Sequence, residues 1–95
     1  MTRVDYTPEA EKTLKKLDRQ SAKRIRDYMG EIEKLTDPRS RGKGLTSNLS
    51  GLWRYRVGDY RVISVIGEGK TDEEPPKIVI TVLVVHIGHR SKVYG

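Results

Sequence analysis

The stretch GLWRYRVGDYRVIS, Gly51–Ser64, alternates apolar and basic residues on either side of Gly58-Asp59. A two-residue Gly-Asp connection is a strong hairpin signal. It pairs Val57 with Tyr60, Arg56 with Arg61, Tyr55 with Val62 and Arg54 with Ile63. Side chains alternate across a strand. Trp53, Tyr55, Val57, Tyr60 and Val62 therefore share an apolar face fit to receive helices, and Arg54, Arg56 and Arg61 share the other. On this register Arg56 and Arg61 are direct cross-strand neighbours, and like charges so placed destabilise a sheet. At about 5 Å and an effective dielectric near 20 the repulsion is roughly 3 kcal/mol. A bound anion reverses the sign of that cost, so three guanidinium groups on one face point to a polyanionic ligand.

Working outward, TRVDYT reads as a first strand, with Val4 and Tyr6 alternating. In TPEAEKTLKKL, Thr7 suits an N-cap, Pro8 the first helical position, and Glu9 and Glu11 the positive helix end. Ala10, Leu14 and Leu17 recur at helical spacing. After DRQ, the spacing of Ala22, Ile25, Met29 and Ile32 predicts a second helix over 21–35, ended by Asp37-Pro38. So short a joint makes the two helices an antiparallel hairpin. DPRSRGKGLTSNLSG is loop by composition. GEGKTDEEPPK is a long polar connection, and its paired prolines exclude a strand there. IVITVLVVHIGHR is the last strand; it is apolar on both faces from Ile78 to Val85 except at Thr81, as befits a central strand. The order β-α-α-β-β-β gives an α+β fold: a small, twisted, mostly antiparallel sheet with an N-terminal helical hairpin on one face. The 95 residues form one domain, 1–95.

With no cysteine, disulfides, thiolate metal sites and cysteine nucleophiles are excluded. MTRVDYTPEAEK has no apolar stretch of signal-peptide type, and the longest apolar run is too short for a bilayer, so a cytoplasmic protein with no membrane partner is expected. The net charge of +6 is unevenly placed. Arg39, Arg41, Lys43, Arg54, Arg56 and Arg61 crowd a segment whose single acid is Asp59, whereas acids gather in GEGKTDEEPP. Such a stripe suits nucleic acid or an acidic protein that mimics it.

A second constellation, HIGHRSKVYG, ends the chain. His86 lies inside the apolar strand and reads as a core or edge histidine. His89 follows Gly88 in a polar setting, either as an exposed strand-end residue or as a group that exchanges protons at cellular pH. Tyr94 either packs against the sheet edge or stacks on an unpaired base. If loop, arginine face and tail converge, the chemistry is RNA cleavage through the neighbouring 2′-hydroxyl. Arginines hold phosphate oxygens in pairs but transfer protons poorly, so a His, Lys or Tyr takes that role. Neither a cofactor nor a metal is called for: two histidines without metal-ligand spacing make no site. GEGKT lacks the full spacing of a phosphate loop and precedes no helix.

LWRYRVGDYRVI, followed by a hydrophobic strand and HIGHRSKVY, resembles the RelE family of bacterial toxins within the RelE/ParE superfamily. The resemblance covers almost the whole chain. It implies a toxin of a type II toxin-antitoxin system: a metal-independent, ribosome-dependent mRNA endoribonuclease that cuts in the A site of the 70S ribosome. It implies a cognate antitoxin that wraps and inhibits the toxin, and operator DNA reached only through that complex. Arg54 and Arg56 match basic positions of the second strand, Arg61 the arginine at the scissile phosphate, Arg90 the basic residue after the last strand, and Tyr94 the C-terminal tyrosine. Arg39, Arg41 and Lys43 extend the RNA-binding surface. The archetype carries lysines where Arg54, Arg56 and His89 stand, which makes His89 the first candidate for proton transfer here and Tyr94 the second. The connection 67–77 is longer than the family's usual turn. A ParE-like inhibitor of DNA gyrase shares this fold and is the alternative; a member that only binds antitoxin or operator DNA is a third.

Overall fold

The computed structural model describes residues 1–46 and 51–91. Strand β1 (Thr2–Tyr6) leads into helices α1 (Pro8–Lys16) and α2 (Arg19–Glu33) and a short 3-10 turn, Pro38–Ser40. Strands β2 (Lys43–Gly44), β3 (Trp53–Val57), β4 (Tyr60–Lys70) and β5 (Ile78–His89) follow. The sheet runs β1-β5-β4-β3-β2, with β1 parallel to β5 and the other pairs antiparallel. The apolar β5 is thus a central strand, as its two-faced hydrophobicity requires. Among the described residues no helix is long and apolar enough to cross a membrane.

The helix ends follow local chemistry. Thr7 Oγ1 accepts the Ala10 N–H at 3.1 Å, and Pro8 occupies the first turn. Asp18 caps α2 by accepting the Ser21 N–H at 3.0 Å, so this helix starts at Arg19 rather than at 21 and ends at Glu33 rather than at 35. Ala10 and Leu14 of α1 and Ile25, Met29 and Ile32 of α2 pack on Tyr55, Val57, Val62, Val82, Val84 and Ile87 of the sheet. Among the described residues the opposite sheet face carries no helix. Two sequence expectations are corrected. The 67–77 connection shrinks to 71–77, because Gly67–Lys70 continue β4 opposite Ile78–Thr81. The basic loop contains the 3-10 turn and β2, whose two residues pair with Trp53 and Arg54. Its members 47–50 lie outside the described residues.

The β3–β4 register is the one the Gly-Asp turn dictates, with Arg56 opposite Arg61. The β4–β5 pair instead shifts between Ile63 and Ser64: Ile63 faces His86 while Ser64 faces Val84. Val85 is the extra residue of a β-bulge, and a bulge reverses the alternation beyond it. Val82 and Val84 are buried under the helices; after the bulge Ile87 is buried there instead of His86. Ser64 is a casualty of this packing. Its Oγ is buried on the helix side with no hydrogen-bond partner among the described residues. A buried hydroxyl without a partner carries its desolvation penalty uncompensated. Ser64→Ala is therefore expected to raise the unfolding free energy by about 1 kcal/mol, read from the urea midpoint; a lower midpoint would mean that the hydroxyl is bonded.

Candidate nucleic-acid interface

The uncovered sheet face gathers cations in two cross-strand rows. Lys43, Arg54, Ile63 and His86 are successive partners across β2, β3, β4 and β5. Arg56, Arg61 and Gly88 form the next row toward the turn. Arg56 is exposed and Arg54 half-buried. Arg56 also borders a cavity of about 350 Å³ with Arg24, Tyr28, Glu31 and Gly58, so its row reaches the edge beside α2. Arg61 departs from expectation. It does not stand on a solvated face: only 8% of it is exposed. Its Nη1 donates to the Gly58 carbonyl at 3.3 Å and to the Tyr60 carbonyl at 3.2 Å. Bending toward the turn sets the guanidinium against two carbonyl dipoles, and these offset the repulsion from Arg56.

The loop that carries Arg39, Arg41 and Lys43 is fixed by two aromatic side chains of β3. Tyr55 Oη donates to the Pro38 carbonyl at 2.7 Å, and Trp53 Nε1 donates to the Arg41 carbonyl at 2.8 Å. Between these anchors Gly42 adopts φ +80°, against the Arg54 carbonyl and the Trp53 and Tyr55 rings. The loop cations are exposed, while the backbone beneath them is tied to the core. Burial pushes the Tyr55 hydroxyl up to about 12, with Tyr28 and Asp37 adding to the rise and Arg39 opposing it. The folded state thus favours the neutral phenol, which is the donor form. Its contribution is present below the free-tyrosine value near ~10 and is lost as pH rises through the folded value. A two-unit rise corresponds to about 2–3 kcal/mol. Burial also raises Tyr6, so the comparison needs a mutant. Between pH 10 and 12 the wild-type chain is expected to lose more stability than Tyr55→Phe; equal alkaline losses would contradict this.

At the end of β5 the sequence-predicted residues separate. His89 pairs with Tyr60, and their rings meet edge-on at 5.7 Å. It therefore lies on the helix side of the sheet end, one residue beyond the Arg61 row and on the opposite face. Ser91, which sequence reasoning did not single out, holds it: its Oγ lies 2.9 Å from Nδ1 and its N–H donates to Nδ1 at 3.3 Å. His89 itself is exposed. Arg90 is tied to the hairpin turn. Its N–H donates to the Asp59 carbonyl at 2.8 Å, and its Nε lies 3.8 Å from the Asp59 carboxylate. Both partners of that pair are exposed, so it orients the strand end more than it stabilises it. Tyr94 lies outside the described residues. His86 is corrected from a core or edge residue to an exposed one on the arginine face. Among the described residues no three His, Asp or Glu side chains gather as a metal site.

These features invite comparison with known proteins. The family model of the ParE toxin of the type II toxin-antitoxin system parDE matches residues 4–94. The chain belongs to this family of type II toxins. Comparison with curated proteins gives no match. Among solved structures, the toxin resembles a chain of the toxin-antitoxin complex RelBE2 from Mycobacterium tuberculosis, with 27% identity and a TM-score of 0.70 over 93% of this chain and 96% of that one. It also resembles a chain of the archaeal RelE-RelB complex from Pyrococcus horikoshii, with 26% identity and a TM-score of 0.59 over 97% and 98%. YafQ from E. coli shares the fold alone, at 14% identity and a TM-score of 0.55 over the full length of both chains. The RelE/ParE superfamily of the sequence resemblance is thus the toxin's family.

Proposed function

We propose that the toxin is a ribosome-dependent mRNA endoribonuclease that works in the cytoplasm against the A site of the 70S ribosome, held in check by a cognate antitoxin. The observation that carries this reading is the uncovered sheet face, where Lys43, Arg54, Arg56 and Arg61 lie within two adjoining cross-strand rows. The likeness to chains of RelE-RelB and RelBE2 complexes supports both the nuclease branch and the antitoxin partner. Operator DNA is then met through the antitoxin complex.

In this reading Arg61, held at the turn, takes the scissile phosphate with Arg56, while Arg54 and the loop cations Arg39, Arg41 and Lys43 take flanking phosphates. Arg90 extends the positive field to the strand end. The message rounds the end of the sheet to reach His89, whose Nε2 accepts the proton as the 2′-oxygen attacks phosphorus; this uses the tautomer in which Nδ1–H donates to Ser91 Oγ. The bond from phosphorus to the 5′-oxygen breaks, and that oxygen takes up a proton, for which Tyr94 is the candidate donor. The products are a 2′,3′-cyclic phosphate and a 5′-hydroxyl. No metal enters these steps, and the guanidinium groups supply the charge that the pentacoordinate phosphate needs. The ParE description of the family favours a second reading, inhibition of DNA gyrase without cleavage. A message carrying one 2′-deoxy sugar at the A-site cleavage position tests the first. The all-ribose message is expected to be cut to a cyclic-phosphate end only with ribosomes present, and the deoxy message to stay intact. Cleavage of both would remove 2′-oxygen attack.

A further inference from the structure

We propose that Arg24 and Tyr28 of α2 and Arg56 of β3 form a second phosphate site at the open edge of the sheet, which takes a backbone phosphate of a single RNA strand where it leaves the arginine face. The inference rests on the reading of that face as an RNA surface and does not require cleavage.

The edge of β3 is the observation behind it. Strand β2 pairs only with Trp53 and Arg54, so among the described residues no strand covers β3 from 55 to 57. Beside that edge lies the cavity of about 350 Å³, walled by Arg24, Asp27, Tyr28 and Glu31 from α2 and by Arg56 and Gly58 from the hairpin. Its size is at the lower end of that of small-ligand sites, about 300–1,000 Å³. Gly58 gives Arg24 its place. It adopts φ +60°, and Arg24 Nη1 lies 2.9 Å from where a Cβ on Gly58 would stand. The Arg24 guanidinium is thus set against the turn, at the cavity. Among the described residues neither Arg24 nor Arg56 takes a hydrogen bond or an ion pair, and the Tyr28 hydroxyl takes no hydrogen bond. The two carboxylates of the wall are engaged by lysines of the same stretch of chain: Asp27 Oδ2 lies 2.7 Å from Lys23 Nζ, and Glu31 Oε1 lies 3.9 Å from Lys34 Nζ. Two guanidinium groups and a phenol are a donor set for phosphate oxygens, because arginine stays charged and binds such oxygens in pairs. The Tyr28 ring is half-buried and meets Tyr55 at 6.1 Å between centroids, so the helix side of the site is tied to the core. Arg56 belongs both to this wall and to the row with Arg61 on the uncovered face. Its five donors let it serve two neighbouring phosphates. A strand that crosses the row from Gly88 toward β3 therefore reaches the cavity next, and this continuity makes the ligand an RNA phosphodiester.

The test is fluorescence anisotropy of the full chain with a 2′-O-methyl oligouridylate, which cannot be cut, without ribosomes and over a salt series. Arg24→Gln is expected to bind about tenfold more weakly than wild type at low salt, with a salt slope shallower by about 0.7, the value for one phosphate contact on a single strand. Arg24→Lys keeps the charge but not the paired donors, so it is expected to keep the wild-type slope and to fall between the two in affinity. Lys12→Gln removes the same charge from an exposed position on α1, outside the cavity, and is expected to bind as wild type does. Wild-type binding by Arg24→Gln overturns the proposal, as does a slope that Arg24→Lys fails to restore. An equal loss in Lys12→Gln also overturns it, by assigning the effect to net charge. A wild-type chain that binds no oligouridylate removes the RNA reading of the arginine face together with this site, whereas binding by wild type that Arg24→Gln matches removes this site alone. Because the probe is uncleavable, a chain that binds as expected but leaves ribosomal messages intact loses only the nuclease reading.

Discussion

Arg61→Ala is expected to lower single-turnover cleavage of ribosome-bound message by about 10²–10³-fold, the usual loss when one preorganised donor to a developing anion is removed. The reason is positional. Arg61 lies between Arg56 and Gly88 in one row, with its guanidinium held by the Gly58 and Tyr60 carbonyls. It is 8% exposed, so most of the desolvation of this cation occurs on folding rather than on binding. The same burial gives the substitution a structural effect. Two backbone carbonyls lose a donor, worth about 1–3 kcal/mol if they stay dry, and the repulsion with Arg56 disappears in partial compensation. Urea unfolding separates the two effects: a folded, cleavage-dead variant supports the role, and a folded variant with wild-type rate removes it. Arg61→Lys keeps the charge but not the paired donors, so it is expected to fall between.

Gly42→Val is expected to give the largest loss of stability, about 3 kcal/mol or more. Its φ of +80° is open to glycine and strained for a β-branched residue. A Cβ there would collide with the Arg54 carbonyl and lie 2.7 Å from Trp53 Nε1 and 2.9 Å from Tyr55 Cδ1. Two of these neighbours are the aromatic anchors of the basic loop. Relief therefore moves the loop away from them and endangers the hydrogen bonds to Pro38 and Arg41. Weaker RNA binding with a shallower salt slope is expected to accompany the lower unfolding midpoint. A variant with wild-type stability would show that the loop accommodates a side chain there.

The β3–β4 hairpin was legible because a two-residue turn allows one register, and that register fixed both the helix-bearing face and the arginine face. The α2 start was legible in principle from Asp18, a good N-cap three residues before the Ser21 amide it holds. The bulge at Val85 was not. Val82–Val85 and Ile87 are apolar at every position, so hydrophobic alternation carries no phase through which an inserted residue is seen. A strand of strict period two would put His86 on the helix face and His89 on the arginine face, the reverse of where the bulge places them. The burial of Arg61 was equally hidden, because it depends on backbone carbonyls at a turn rather than on any side chain the sequence displays. Strand β2 is two residues in a Gly-rich loop, and its pairing comes from the Trp53 and Tyr55 anchors rather than from its own propensity.

One assay addresses the central claim most directly: purified toxin with ribosomes programmed with a defined message, read by primer extension, beside a supercoiling assay with DNA gyrase. The account predicts a cut within the A-site codon that requires ribosomes, is lost in Arg61→Ala, and occurs at concentrations that leave gyrase active. Intact message together with inhibited gyrase would contradict it and assign the arginine face to a protein or DNA partner.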